Sequence, residues 1–194
     1  MSTLYHQGIE FIFPGIYKAY PREWAKNFLQ TGEIYFTNIE VFKADEDKQR
    51  GDPLEGRSIT IRQGVRCTGD YSCPIFVWCS TMETVPIKIL ETWKDRDTIV
   101  QITDTLGFAK RICDVVAKLT PNIHLIVGPV TYDKDEGSYR EYDWAEGIFQ
   151  KNIYFTQHKE FRFALVGDSN ARDKEEIILN LGECSNLARI LYES

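Results

Sequence analysis

IEFIFPGIYKAYPREWAKNFLQTGEIYFTNIEVF, residues Ile9 to Phe42, decides the fold class. Its first part, Ile9 to Tyr20, is aromatic and β-branched, the composition that suits a pleated, half-buried strand. Pro21 then falls at a first helical position, where its missing N–H costs nothing. PREWAKNFLQ places Trp24, Ala25, Phe28 and Leu29 on one helical face, and Gly32 supplies the stop. Glu33 to Phe42 (EIYFTNIEVF) returns to strand composition.

The same alternation continues through the chain. Ser58 to Val65 and Ile75 to Ser80 (IFVWCS) read as strands separated by a Gly/Asp/Ser/Pro turn cluster. Thr98 to Thr103, Ile123 to Tyr132, Ile153 to Thr156 and Phe161 to Val166 also read as strands. Gly107 to Leu119 is the clearest helix, with Phe108, Ile112, Val115, Val116 and Leu119 at helical spacing. Glu175 to Leu179 and Leu187 to Leu191 are short segments without an assignment. Strands outnumber helices and most connections are too short for parallel crossovers, so the expectation is an α+β fold with a mainly antiparallel sheet. No repeat, low-complexity tract or Pro/Gly/Ser linker interrupts residues 1 to 194, which read as a single domain.

Composition narrows the function classes. The chain has 194 residues, 43% hydrophobic and 13% aromatic, enough for a substantial core. A formal net charge of −6 and a pI near 5.2 argue against a general basic nucleic-acid footprint. No apolar run reaches membrane-span length, and MSTLYHQGIE lacks the basic start and apolar stretch of a signal peptide. A cytoplasmic protein without a membrane partner is expected. The cysteines at 67, 73, 79, 113 and 184 are odd in number and contain no CxxC, so reduced thiols are expected rather than a disulfide framework or structural zinc. GxGxxG, GxxxxGK[ST], HExxH and GxSxG are all absent from the sequence.

Four short constellations remain. Tyr17-Lys18-Ala19-Tyr20 closes the first strand run, and Trp78-Cys79-Ser80-Thr81 is a buried-type strand ending in two hydroxyls. Phe42 to Gly56 (FKADEDKQRGDPLEG) crowds Asp45, Glu46, Asp47, Asp52 and Glu55 around a Gly/Pro-punctuated turn. So many carboxylates have to be solvated, ligand-facing or paired with cations, and Arg50 and Arg57 are the nearby counter-charges. Lys159-Glu160-Phe161-Arg162-Phe163 puts Glu160 and Arg162 on one side of a strand and two phenylalanines on the other, because side chains alternate.

The order of these pieces resembles a bacterial and phage domain-of-unknown-function family considered ADP-ribosyltransferase-like, over about residues 12 to 166. The shared pattern is a K-Y strand end, an acidic N-D-P-like loop, a C-S strand end and an aromatic E-x-R strand. The chain departs from it where METVPIKILETW replaces the family's W-x-H-Y, and Arg50-Gly51-Asp52-Pro53 only approximates the loop. The resemblance implies a split antiparallel sheet, with NAD as substrate, no metal, and a protein or nucleic-acid acceptor in a toxin or phage-host setting. It also implies site residues. Lys18 or Arg22 would hold NAD, with Tyr17, Tyr20, Thr81 and Arg162 as further cofactor contacts. Ser80 would orient the nicotinamide ribose, and Glu160 would bind its 2′-hydroxyl and stabilise the oxocarbenium-like charge.

The residues themselves leave other roles open. Ser80 can satisfy local backbone groups, Glu160 and Arg162 can be a surface ion pair, and Lys18 can lie along its tyrosines. His6, His124 and His158 are dispersed and read as non-catalytic. Two further classes stand beside the transferase: a magnesium-dependent phosphodiesterase using Asp45, Asp47, Asp52 and Glu55, joined by Glu160, and a non-enzymatic acidic binding or inhibitor protein that docks on a basic surface.

Overall fold

The computed structural model describes residues 2–6, 9–44, 56, 58–62, 65–69, 72–119, 122–132, 146–167, 171 and 173–193. Its strands are β1 (Ser2–His6), β2 (Ile9–Phe13), β3 (Ile16–Tyr20), β4 (Glu33–Asn38), β5 (Ser58–Arg62), β6 (Val65–Gly69), β7 (Ile75–Thr81), β8 (Thr98–Ile102), β9 (Ile123–Pro129), β10 (Glu160–Gly167), β11 (Glu176–Asn180) and β12 (Ala188–Glu193). The helices are α1 (Arg22–Thr31), α2 (Ile39–Ala44), α3 (Pro86–Thr92) and α4 (Thr105–Leu119), with 3₁₀ turns at Glu146–Phe149 and Ile153–His158. An open, mainly antiparallel sheet of eight strands runs β11-β4-β7-β3-β8-β12, with β10 paired to β7 and β9 to β10. This is the α+β class that the sequence indicates. Two compact units share the chain: Met1–Tyr35 with Cys79–Pro121 and Ile178–Ser194, and Phe36–Trp78 with Asn122–Ile177.

In the first unit β3 pairs along its whole length with β8, from Ile16 opposite Ile102 to Tyr20 opposite Thr98, and Tyr17 lies opposite Thr81 at the end of β7. β12 pairs with the other edge of β8. Alternation sends the side chains of β3 and β8 to two faces. Tyr17, Ala19 and Ile99 pack with Ile89, Leu90 and Trp93 of the α3 region. Tyr20 stacks on Phe28 of α1 at 5.9 Å, and Phe28 meets Phe108 of α4 edge-on at 6.0 Å. Gly32 ends α1 in the left-handed conformation, φ 66°, and donates its N–H to the Phe28 carbonyl.

In the second unit Thr37 and Asn38 of β4 lie opposite Val77 and Phe76 of β7. β9 and β10 pair without a bulge from Phe161 opposite Pro129 to Gly167 opposite Ile123. Residues 160–166 of β10 are all buried, so neither face of this strand meets water. Phe163 packs edge-on against Trp78 at 5.4 Å and Phe161 at 5.6 Å.

Several local expectations are corrected. Ile9 to Tyr20 is two strands, because Pro14 and Gly15 interrupt the run. Glu33 to Phe42 is a strand only as far as Asn38; the Asn38 side chain accepts the Glu40 N–H at 3.1 Å and turns the chain into α2. Ser58 to Val65 divides between β5 and β6, which pair with Ile61 opposite Arg66. Ile153 to Thr156 is 3₁₀ rather than strand, started by the Asn152 side chain accepting the Tyr154 N–H at 3.0 Å. The stretch METVPIKILETW holds α3, with Pro86 in its first turn and the Glu83 carboxylate accepting the Thr84 and Val85 N–H groups. Trp24 is not part of the inward face of α1: it is 52% exposed and stacks on Tyr35 at 5.7 Å, while Ala25 and Phe28 are buried. Leu119 likewise points out at the end of α4, whose buried residues include Phe108, Ala109, Ile112 and Val116. The two unassigned C-terminal segments are β11 and β12.

Candidate functional site

The densest polar construction in the second unit surrounds Glu160, at the start of β10. Antiparallel alternation brings Arg162 to the same side of the strand. There the Arg162 Nε donates to Glu160 Oε2 at 2.8 Å, and Nη2 lies 2.8 Å from the same oxygen. Lys151, between the two 3₁₀ turns, places its ammonium 2.7 Å from Oε1. His158 Nδ1 faces Oε1 at 3.3 Å. Lys159, in the left-handed region with φ 44°, makes that last contact geometrically available by turning the chain sharply between His158 and Glu160. Tyr132 completes the shell, its hydroxyl accepting the Glu160 backbone N–H at 2.7 Å.

The shell is dry. Glu160, Arg162, Lys151 and His158 are each at most 5% exposed. The Arg162 guanidinium also donates to the Ile148 carbonyl at 2.6 Å, and the Lys151 ammonium lies 4.7 Å from the centre of the Phe155 ring. Burial by itself pushes the Glu160 carboxyl up; the charges of Arg162 and Lys151, with hydrogen bonds from His158 and Lys151, outweigh it and hold the carboxyl well below its ordinary range. Glu160 is therefore ionised across the physiological pH range. Its pairing with Arg162 is not at the surface, and the near-neutral energetics of an exposed pair do not apply.

In the first unit the remaining sequence candidates lie on β3, at the start of α1 and at the end of β7. Tyr17 is buried, with its hydroxyl 3.4 Å from the Gln101 side-chain nitrogen. Lys18 donates to the Cys79 carbonyl, and Tyr20 is held by its stacking on Phe28. Arg22 lies 4.0 Å from the Glu193 carboxylate. Ser80 and Thr81 are buried, and the Thr81 hydroxyl accepts the Glu83 N–H at 3.0 Å, a local turn contact of the kind such hydroxyls commonly make. Asp45, Asp47, Asp52 and Glu55 lie outside the described residues, as do Arg50 and Arg57. Among the described residues no group of three or more His, Cys, Asp or Glu side chains is arranged to hold a metal. No helix there is long and apolar enough to cross a membrane.

The sequence reading singles out Glu160 and Arg162 but misses Lys151 and Tyr132, and it sets His158 aside as dispersed. Lys151 carried little local signal, since it sits in the polar triplet Gln150-Lys151-Asn152, where a charge is ordinary. Tyr132 carried none, since 28 positions separate it from Glu160. Compared with protein-family models, curated proteins and solved structures, the chain matches none of them.

Proposed function

We propose that this chain is an ADP-ribosyltransferase-like protein that moves ADP-ribose from NAD to a protein or nucleic-acid acceptor, with Glu160 as the carboxylate that acts at the ribose. One observation supports the reading: the Glu160 carboxylate is buried against Arg162, Lys151 and His158, the Arg162 and Lys151 charges hold it well below the ordinary carboxylate range, and its backbone N–H donates to the half-buried Tyr132. Such buried charge is costly to build, and strongly perturbed carboxylates cluster at functional sites. In the reaction the glycosidic C–N bond breaks and nicotinamide leaves with the bonding electron pair. Positive charge grows at the ribose, where a fixed carboxylate accepting the 2′-hydroxyl stabilises it. The acceptor nucleophile then bonds to the anomeric carbon and releases its proton. On this reading Arg162, beside Glu160 on β10, contributes a further cofactor contact. Toxin or phage-host conflict is the proposed setting.

The test is NAD binding by thermal shift together with release of nicotinamide. Wild-type protein is expected to bind NAD, and Glu160→Gln, assayed at a temperature where it remains folded, to lose about a hundredfold or more in turnover. Wild-type protein that neither binds NAD nor releases nicotinamide with any acceptor overturns the reading. A second reading, the non-enzymatic acidic binding protein, is favoured by the burial of Glu160, whose two oxygens already face Lys151, His158 and Arg162. It expects no melting shift with NAD or with magnesium. A magnesium-dependent shift lost in Asp52→Asn would instead support the phosphodiesterase.

A further inference from the structure

We propose that Lys151 is a removable lock on Glu160, so that the described arrangement is a resting form of the site; this rests on the transferase reading above. A carboxylate offers about four lone-pair positions. Arg162 faces Oε2 with both Nε and Nη2, while Lys151 and His158 face Oε1. With the proton on His158 Nδ1, all four positions are taken. A ribose 2′-hydroxyl can donate to Glu160 only if one of these partners withdraws.

The three partners are not equally placed to do so. Arg162 is two residues along the same strand, its register fixed by β9 through Arg162 opposite Gly128. Its guanidinium is tied additionally to the Ile148 carbonyl. His158 is joined to Glu160 through the single residue Lys159, whose left-handed backbone sets the approach. Among the described residues Lys151 alone reaches the carboxylate from outside this continuous segment. It belongs to the short stretch between two 3₁₀ turns, where its backbone N–H is held by the Thr131 carbonyl at 2.9 Å. Its ammonium also lies 4.7 Å from the centre of the Phe155 ring, but the four-carbon stem lets it leave Oε1 without moving β10. Ile153 and Tyr154, the next large side chains along, are 59% and 79% exposed, so the stretch bearing the lock continues directly into surface. Withdrawal frees one lone pair on Oε1 and leaves Arg162 to keep the carboxylate ionised and aimed.

The experiment compares wild type, Lys151→Met, Lys151→Gln and Lys151→Arg as full-length proteins, by two independent readouts. The first is carbodiimide labelling of Glu160 near neutral pH, read by mass spectrometry of the peptide that contains it. The second is nicotinamide release from NAD. Labelling of Glu160 is expected to rise about tenfold or more in the folded Met and Gln variants, tenfold being equivalent to about 1.4 kcal/mol, close to the lower end for one hydrogen bond to a charged group. Lys151→Arg, which retains the charge, should label as wild type. Nicotinamide release should rise in step with labelling. Unchanged labelling in a folded Lys151→Met or Lys151→Gln overturns the lock. So does failure of both neutral variants to fold, since a lock can be withdrawn without loss of the fold. Raised labelling with no nicotinamide release from any variant leaves the lock standing and overturns the transferase reading.

Discussion

Replacing Glu160 by Gln keeps the shape of the side chain but strands two buried cations, and the size of the resulting destabilisation follows from the geometry. In the native protein the Lys151 ammonium and the Arg162 guanidinium, at most 4% exposed, both face this carboxylate within 2.8 Å. Removing one member of a buried charge pair costs about 3–5 kcal/mol, because the other member stays desolvated without its counter-charge. For a chain of 150–250 residues each kcal/mol lowers Tm by about 2–4 °C, so Glu160→Gln should melt about 6–20 °C below wild type. Urea unfolding followed by tryptophan fluorescence, to which the buried Trp78 beside Phe163 contributes, gives the free-energy difference directly. The double variant Lys151→Met/Glu160→Gln removes one of the stranded cations and should cost less than the two single changes added together, by about 0.5–3 kcal/mol. A Glu160→Gln protein within about 1 kcal/mol of wild type, with additive double-variant behaviour, would refute the buried shell, because only solvated pairs are so cheap to break. The same magnitude governs the activity test: a loss of turnover counts as chemistry only at a temperature where Glu160→Gln is folded.

The other perturbations have equally definite signs. The folded-state pKa of Glu160 lies below its unfolded value, so its stabilisation is complete above the ordinary glutamate value of about 4.3 and is lost as pH falls through the depressed folded value; the urea midpoints of wild type and Glu160→Gln should accordingly converge on acidification, and a gap that widens contradicts the assignment. Lys159, exposed and with φ 44°, should tolerate Gly with a change of at most about 1 kcal/mol in either direction, whereas Lys159→Val should lose about 1–2 kcal/mol because a β-branched residue resists the left-handed region. Gly32→Ala should destabilise by about 2 kcal/mol or more, since φ is 66° and an added Cβ would collide with the Gly182 carbonyl oxygen and sit 2.8 Å from the Leu181 Cβ; a Tm equal to wild type would show that the end of α1 is not held as described.

The fold class was legible because apolar runs such as Phe161 to Val166 and Ile75 to Ser80 are long enough to specify buried strands without help from their neighbours. The helix α4 was legible from spacing alone, with Phe108, Ile112 and Val116 on its buried side. What failed were places where one polar side chain redirects the backbone. Ile39 to Phe42 and Ile153 to Phe155 have strand composition, yet Asn38 and Asn152 each accept an N–H two residues ahead and commit the chain to a helical turn. Propensity summed along a window does not register such a single hydrogen bond. The error over Trp24 has a different origin. Helical spacing identifies an apolar stripe, but whether its edge is covered depends on what packs there, and Trp24 finds the half-buried ring of Tyr35 and the Arg96 guanidinium, which leave it half exposed.

The site was legible only in the part that β periodicity controls. Alternation correctly puts Glu160 and Arg162 on one side of β10, and an amphipathic strand with that pattern would ordinarily turn them to water. Burial of both faces reverses that expectation, and a desolvated carboxylate then requires cations from elsewhere in the chain. Those cations come from irregular structure: Lys151 from a stretch between two 3₁₀ turns, His158 from the end of one of them. Irregular segments have no period to read, and Lys151 sits between Gln150 and Asn152, so nothing in its neighbours announces its pairing with Glu160 nine positions on. A cluster built this way is expensive relative to an apolar core of the same volume, which would cost nothing in desolvation. Its presence at the head of a strand otherwise filled by Phe161, Phe163, Leu165 and Val166 is therefore the strongest physical reason to seek the function of this protein at Glu160 rather than among its exposed charges.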